Sequence, residues 1–286
     1  MSKRILITGA SSGFGRDTAE TLHHAGHTVY ASLRDVQGKN REAAEALQKL
    51  GIKTVELDVR DDASVQAGVE SVLAEAGAID VLVNNAGIAS AGVTEAFTTE
   101  QAHAIFDTNV IGLLRVTRAV LPSMRGQHDG LIINIGSILG RVTFPFVGIY
   151  GASKFAVEAL TDSLHYEVSQ LGVEVVAVQP SGYPTNFFTN IQTPAGTDVT
   201  KSYGEVGQIP DAMVKSLTST FEGNDAPDPH EVAAAIAELV GQAKGKRAAR
   251  TVVGAPYGSD KANEGVAPVQ ANVVEALGLS HLEKVA

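Results

Sequence analysis

Residues 8–15 read Thr8-Gly9-Ala10-Ser11-Ser12-Gly13-Phe14-Gly15, and the reading of these eight positions decides the fold. Before them runs a short apolar segment, Arg4 to Thr8, with the character of a strand. After them Phe14 to Ala25 places Ala19, Leu22 and Ala25 on one helical face. A strand that turns through glycines into a helix leaves the helix's first N–H groups unpaired, and the helix dipole adds partial positive charge there. Gly9 suits the tight reversal, Gly13 lets the backbone approach a pyrophosphate, and Gly15 allows close helix–strand packing. Ser11, Ser12 and Phe14 complete the candidate phosphate cradle.

Outward from this turn, strand-like and helix-like runs alternate. Strands are expected at Thr28 to Ser32, Lys53 to Leu57, Val81 to Asn84, Leu131 to Ile135, Glu174 to Gln179 and Arg250 to Val253. Helices are expected at Arg41 to Leu50, Ala63 to Ala76, about 100–124, about 151–171 and around Ala234 to Leu239. Uninterrupted apolar strands such as Val175 to Val178 indicate burial on both faces, as in a parallel sheet. The pattern predicts an α/β fold, a single Rossmann-type doubly wound parallel sheet with helices on both faces, over one domain spanning 1–286. Residues 181–228 are too long for an ordinary connection and are expected to form a substrate-binding lid. Residues 254–286 form a C-terminal extension with one short helix candidate, Val269 to Leu277.

The 286 residues carry 22 Lys and Arg against 32 Asp and Glu, a formal net charge of −10. Apolar residues (44%) and charged ones (19%) supply a sizeable core and exclude a disordered composition. The acidic balance weighs against nucleic acid or an anionic membrane as partner. The absence of cysteine excludes disulfides, Cys-ligated zinc, iron–sulfur clusters and a thiol nucleophile. Met1 to Gly9 offers only Ile5-Leu6-Ile7 as an apolar stretch, too short for a signal peptide, and no run reaches the ~18–20 apolar residues of a membrane span. A cytoplasmic protein is expected. The histidines form no i, i+4 pair with carboxylates, so no metal is expected. Gly151-Ala152-Ser153 does not supply a hydrolase nucleophile elbow.

With Thr8 in front, the Gly-x3-Gly-x-Gly spacing resembles the cofactor motif of the short-chain dehydrogenase/reductase family. Further motifs follow in that family's order: Asn84-Asn85-Ala86-Gly87 after the fourth strand, Asn109 in the long helix and Ser137 after the fifth strand. Tyr150-Gly151-Ala152-Ser153-Lys154 begins thirteen residues later, and Pro180-Ser181-Gly182-Tyr183-Pro184-Thr185 follows the next strand. Together they cover residues 4–186. Val29 to Asp35 and Tyr150 to Phe155 are similar in type to carbonyl reductases and 17β-hydroxysteroid dehydrogenases. The resemblance implies that Asp58 and Val59 contact adenine, and that Asn85, Ala86 and Gly87 line the adenosine ribose and the cofactor's path. It counts Pro180, Tyr183 and Thr185 among the cofactor contacts, with Thr185 on the nicotinamide carboxamide. Ser181 departs from the family's usual glycine, and Tyr183 and Pro184 stiffen this segment.

Rossmann proteins that use NAD place an acid at the end of the second strand, where this chain has Leu33 followed by Arg34. A guanidinium pairs with a 2′-phosphate that an acid would repel. NADP(H) is therefore expected in preference to NAD(H), with Arg34 and Ser12 as anchors. The rival is Asp35, twenty residues after Gly15, on the ribose hydroxyl of NAD.

Tyr150 and Lys154 are four apart and share a helix face. A phenol with a reference pKa of ~10 is a poor acid at neutral pH, but a neighbouring ammonium stabilises phenolate and lowers that value by about 1–3 units. Such a phenol can protonate a ketone oxygen or deprotonate an alcohol. Ser137, at the sheet's carboxyl edge, can bond the same oxygen. The resemblance gives Lys154 a second bond to the nicotinamide ribose, and gives Asn109 a backbone kink and a water that links Lys154 to solvent. Ile138, Leu139, Phe144, Phe146, Phe187 and Phe188 are candidate pocket walls, which favours a bulky apolar ketone or secondary alcohol. The expected activity is NADPH-dependent ketone reduction, reversible as alcohol oxidation. One alternative is a 3-oxoacyl-thioester reductase, disfavoured by the acidic charge because an acidic carrier protein calls for a basic patch. The other is a non-catalytic NADP-binding sensor or scaffold. The resemblance also implies a homodimer or homotetramer, paired through the helices near 100–124 and 151–171.

Overall fold

The computed structural model describes residues 2–223 and 225–286. Its strands are β1 (Arg4–Ile7), β2 (Thr28–Leu33), β3 (Lys53–Glu56), β4 (Val81–Asn84), β5 (Gly130–Ile135), β6 (Val173–Pro180) and β7 (Arg250–Val253). All pair in parallel, in the order β3-β2-β1-β4-β5-β6-β7. Ile5 lies opposite Val29 on one side and Val81 on the other. The direction of winding reverses between β1 and β4, which opens a crevice at their carboxyl ends.

Successive residues of a strand face opposite sides of the sheet, so Ile5-Leu6-Ile7 serves two cores. Ile5 and Ile7 join Leu22 of α1 (Gly13–His24), Leu47 of α2 (Arg41–Lys49) and Ile236 of α10 (His230–Gly241). Leu6 joins Val69 of α3 (Asp62–Ala76) and Val116 and Val120 of α5 (Gly112–Gln127). Both faces of the sheet are thus covered, which is why its inner strands read as continuous apolar runs, whereas the edge strands β3 and β7 are only partly buried.

The helix expected near 100–124 is built in three pieces. α4 (Thr99–Phe106) opens with a Thr98/Gln101 capping box, a π turn spans Asp107–Ile111, and α5 continues to Gln127. The wide turn coincides with Asn109, whose side-chain amide bonds both the N–H (2.8 Å) and the carbonyl (2.9 Å) of Ile88. α6 (Gly148–Val168) then crosses to β6.

Residues 181–228 are not the plain loop that their composition suggests. They carry α7 (Asn186–Thr189), α8 (Thr197–Ser202) and α9 (Ile209–Ser219). The middle of the segment is fastened: Gln192 N donates to Ala89 O at 2.9 Å and Ala91 N to Gln192 O at 3.1 Å. The Gln101 side chain adds bonds to Thr193 O (2.9 Å) and from Ala195 N (3.0 Å). In the C-terminal extension, α11 spans Ser259–Ala276 and so begins ten residues before the apolar candidate Val269. Its polar first half was invisible to an apolar pattern, yet it is the half that reaches the sheet through Asn263.

Candidate active site

The glycine turn is shaped by its neighbours at the end of β4. Gly9 and Gly13 have φ of +68° and +55°, conformations that favour glycine. A Cβ at Gly15 would stand 2.4 Å from Asn85 Nδ2 and 2.5 Å from Gly9 O, so the turn and Asn85 leave no room for a side chain there. Thr8 ties the two loops together, since its Oγ1 accepts from the backbone N–H groups of Asn85 and Ala86, both at 3.0 Å. Asn85 differs from its expected position along the cofactor's path. Its amide donates back to the carbonyls of Thr8 (2.9 Å) and Gly9 (3.1 Å), so the side chain braces the turn. Ala86 packs under Gly9, and Gly87 lies where a Cβ would be 3.3 Å from Asn109 Oδ1.

The N-terminus of α1 fits a dinucleotide's phosphates. Ser12 is its N-cap, in extended conformation, with a hydroxyl that makes no capping bond, and no acid lies in the first turn. Ser11 and Ser12 are half-buried. A Cβ built on Gly13 would meet Thr185 at 3.6 Å, so the turn and the segment after β6 face each other across a narrow gap. Phe14 and Tyr183, both expected at the cofactor, engage each other instead, edge to face with ring centroids 5.6 Å apart. The Tyr183 hydroxyl is directed to Glu231 (2.6 Å) and the residue is fully buried, which leaves its backbone to the crevice. Pro180 ends β6.

At the carboxyl ends of β2 and β3 lies a depression of about 330 Å³ lined by Arg34, Asp35, Lys39, Asn40, Asp58 and Arg60, among others. Arg34 is exposed at it. Asp35 has φ +51° and turns its carboxylate into its own loop, where it accepts from Lys39 N at 2.8 Å. Asp58 is held by the Arg60 guanidinium (2.7 Å), which keeps its carboxyl below the usual range. Arg60 was not foreseen, although a basic residue two positions past a candidate contact was the available signal. Val59 is buried against Gly112 of α5, which has no room for a Cβ there.

Ser137, after β5, comes together with Tyr150 and Lys154 of α6, all three buried. Ser137 caps a short turn, Ile138–Gly140, and its hydroxyl accepts from Leu139 N at 3.1 Å. Burial pushes the Tyr150 phenol well above its ordinary value, and a hydrogen bond with Ser137 acts the other way. The lowering expected from Lys154 is not realised in this arrangement. The ammonium donates to Ile135 O at 2.8 Å and lies 5.7 Å from the phenol ring's centre, so desolvation dominates. Lys154 itself is lowered to about 8 by burial, opposed by the carboxylate of Glu158.

Asn109 joins the group through Ser153. Its Nδ2 donates to Ser153 Oγ (3.0 Å), which donates to Tyr150 O (2.7 Å). Spacing alone gave Ser153 no role within the Tyr150–Lys154 motif. Of the wall candidates, Phe187 meets the Tyr150 ring at 5.7 Å and Phe188 follows at 5.7 Å. Phe144 instead packs on Tyr257 of the C-terminal extension, and Phe146, with φ +64°, accepts Gly92 N at 2.7 Å. Among the described residues no cluster of His, Asp or Glu could hold a metal ion, and no helix is long and apolar enough to cross a membrane.

A sheet wound in this order, with a glycine turn after β1 and a buried Ser–Tyr–Lys group at β5 and α6, has the arrangement of a dinucleotide-dependent oxidoreductase. Comparison with known proteins agrees. The family described as short chain dehydrogenase matches residues 3–195. A 3-ketodihydrosphingosine reductase of Bacteroides thetaiotaomicron is 37% identical over 237 residues, 82% of this chain and 82% of that protein. Retinol dehydrogenase 8 of Bos taurus is 31% identical, over 85% of this chain and 79% of its own. A crystal structure of a short-chain dehydrogenase from Streptomyces avermitilis superposes with a TM-score of 0.78 at 31% identity, covering 98% of both chains. The chain belongs to the short-chain dehydrogenase/reductase family and is an oxidoreductase that uses a nicotinamide cofactor.

Proposed function

We propose that this enzyme reduces bulky apolar ketones with NADPH, and oxidises the corresponding secondary alcohols in reverse, with Tyr150 as general acid and base. The observation that carries the reading is the meeting of the Tyr150 phenol, the Ser137 hydroxyl and the Phe187 ring at the sheet's carboxyl edge. Gly9, Gly13, Ser12 and the α1 N-terminus hold the phosphates, Thr185 and Lys154 the nicotinamide end, and Arg34 the 2′-phosphate. When bound, NADPH supplies the hydride.

The chain's own residues manage the oxygen. A phenol raised by burial stays protonated through the neutral range, the form that donates to a ketone oxygen as negative charge develops there. Ser137 gives that oxygen a second hydrogen bond, worth most where water is excluded. Lys154, at about 8, is mostly charged at neutral pH and would favour the phenolate left behind once its ammonium turned from Ile135 O towards the phenol. Asn109 and Ser153 hold the Tyr150 backbone. Residues 181–228 serve as the lid that brings Phe187 and Phe188 over the substrate. The turning of the Asp35 carboxylate into its own loop supports NADP over NAD, because it leaves Arg34 as the side chain available to the ribose substituent. The names of the two relatives, a ketone reductase and an alcohol dehydrogenase, support the two directions of the reaction.

The test is a panel of acetone, cyclohexanone, 2-decalone and 3-ketodihydrosphingosine with NADPH and NADH, followed by cofactor absorbance. Turnover of the larger ketones, faster with NADPH and abolished in Tyr150→Phe, is expected. Cofactor binding without turnover would favour a sensor, and undiminished turnover in Tyr150→Phe would remove the proposed acid.

A further inference from the structure

One buried carboxylate takes no part in the chemistry above. Glu158 lies on α6 one turn beyond Lys154, with its side chain 3% exposed. Its Oε1 accepts from Gln179 Nε2 of β6 at 2.8 Å, while Oε2 meets Arg250 Nε of β7 at 2.8 Å and Arg141 Nε at 3.5 Å. Arg250 also reaches Asp162, a further turn along α6, at 2.6 Å. Asn263 of α11 closes the circuit, accepting from Arg141 Nε at 2.9 Å and donating to Gln179 Oε1 at 2.7 Å. The turn that carries Ser137 is moulded around the same side chain. A Cβ at Gly136 would stand 3.0 Å from Glu158 Oε1, and one at Gly140 2.9 Å from Glu158 Cγ and 3.0 Å from Lys154 O.

A buried acid adds little to stability that an apolar side chain of its size would not, so its charge calls for a reason. The charged groups around it are Lys154, Arg141 and Arg250 on one side and Asp162 on the other; Tyr166, bonded to Gln270 of α11, lies beside Asp162 and Arg250. Without Glu158, Arg141 and Arg250 would face Asp162 alone, and Lys154, one turn back on α6, would lose the carboxylate that opposes its desolvation. We propose that Glu158 is a positioning residue that keeps the Lys154 ammonium charged and the Gly136–Gly140 turn in place, supported by Arg141, Arg250 and, through Asn263, the C-terminal extension. The proposal rests on the reading of Tyr150 and Lys154 as the reacting pair.

The experiment is an NMR titration of Lys154, isotope-labelled at Cε, in the cofactor-free protein, beside the pH profile of kcat with NADPH and the fastest ketone of the panel. Glu158→Gln is expected to move the Lys154 titration and the basic limb of kcat down by about one pH unit, and Arg250→Gln to move both up. Loss of packing alone gives no opposite displacements. Folded variants that titrate as wild type, or that move in one direction, overturn the proposal. If Glu158→Gln does not fold, Asp162→Asn takes its place, with a smaller downward displacement expected and an unmoved titration counting against. An unmoved titration with Tyr150→Phe inactive sinks this proposal alone, whereas an active Tyr150→Phe sinks the reading of the site.

Discussion

Replacing Lys154 with methionine should stabilise the protein while abolishing its activity, and the gain should fade as pH rises. In the folded chain Lys154 titrates near 8, against 10.5 for a free lysine. Between these values the unfolded chain binds more protons than the folded one, so unfolding free energy rises with pH across that window. Below pH 8 the folded state bears the whole cost of a buried ammonium, about 3 kcal/mol at pH 7, and at pH 10 only about 1 kcal/mol remains. Methionine fills a similar volume and carries no charge, but it leaves Ile135 O without the donor that Lys154 supplies at 2.8 Å. Losing that bond costs about 1 kcal/mol, so Lys154→Met should gain about 2 kcal/mol at pH 7 and close to nothing at pH 10. Urea unfolding of both proteins, followed by circular dichroism across this range, isolates the residue because every other titration is shared. A stability gap that does not change between pH 7 and pH 10 refutes the reasoning.

Three further outcomes follow from the same geometry. Gly15→Ala forces a Cβ onto Asn85 Nδ2 and Gly9 O. Thermal melts should show a loss of about 3 kcal/mol, and fluorescence titration should show weakened NADPH binding. Arg34→Ala should raise the Kd for NADPH about tenfold and leave NADH within about twofold, as two-cofactor titrations would show. Phe187→Ala removes the ring set against Tyr150, so KM for 2-decalone should rise about tenfold while that for acetone stays level.

The sheet was legible because its inner strands are buried on both faces and read as apolar runs, while the edge strands β3 and β7, only partly buried, were placed by the alternation of strand and helix. Helical periodicity placed α1, α2 and α3 within a residue of their bounds, and set Ala234 to Leu239 inside α10. Less was legible where a side chain reshapes the backbone. Nothing in the spacing of residues 100–124 announces a π turn, because its partner is the backbone of Ile88, distant in sequence. Positions that follow from motif and spacing, such as the positive-φ Gly13 and Tyr150 beside Ser137, could be read ahead of the structure. Roles set by which neighbour captures a side chain could not: Asn85 is taken by the Thr8 and Gly9 carbonyls, Asp58 by Arg60, and Tyr183 by Glu231.

The segment after β6 shows the same limit most clearly. Its Thr, Gly and Pro content reports only that no long amphipathic helix forms, and the shape it takes comes from groups elsewhere in the chain. Ala89 and Ala91 pair with Gln192, Gln101 turns from its capping box to hold Thr193 and Ala195, and Tyr203 bonds Glu95 at 2.6 Å. These anchors divide the segment into a stretch before Gln192, which carries Phe187 and Phe188, and one after Ala195, which carries Phe221. The rings of Phe188 and Phe221 nevertheless meet at 5.0 Å. The two aromatic stretches therefore close on each other while the backbone between them is fastened at Gln192 to Ala195. If the proposed bulky ketone is the substrate, its size would act on the separation of those rings, while the anchors would keep the rest of the segment fixed.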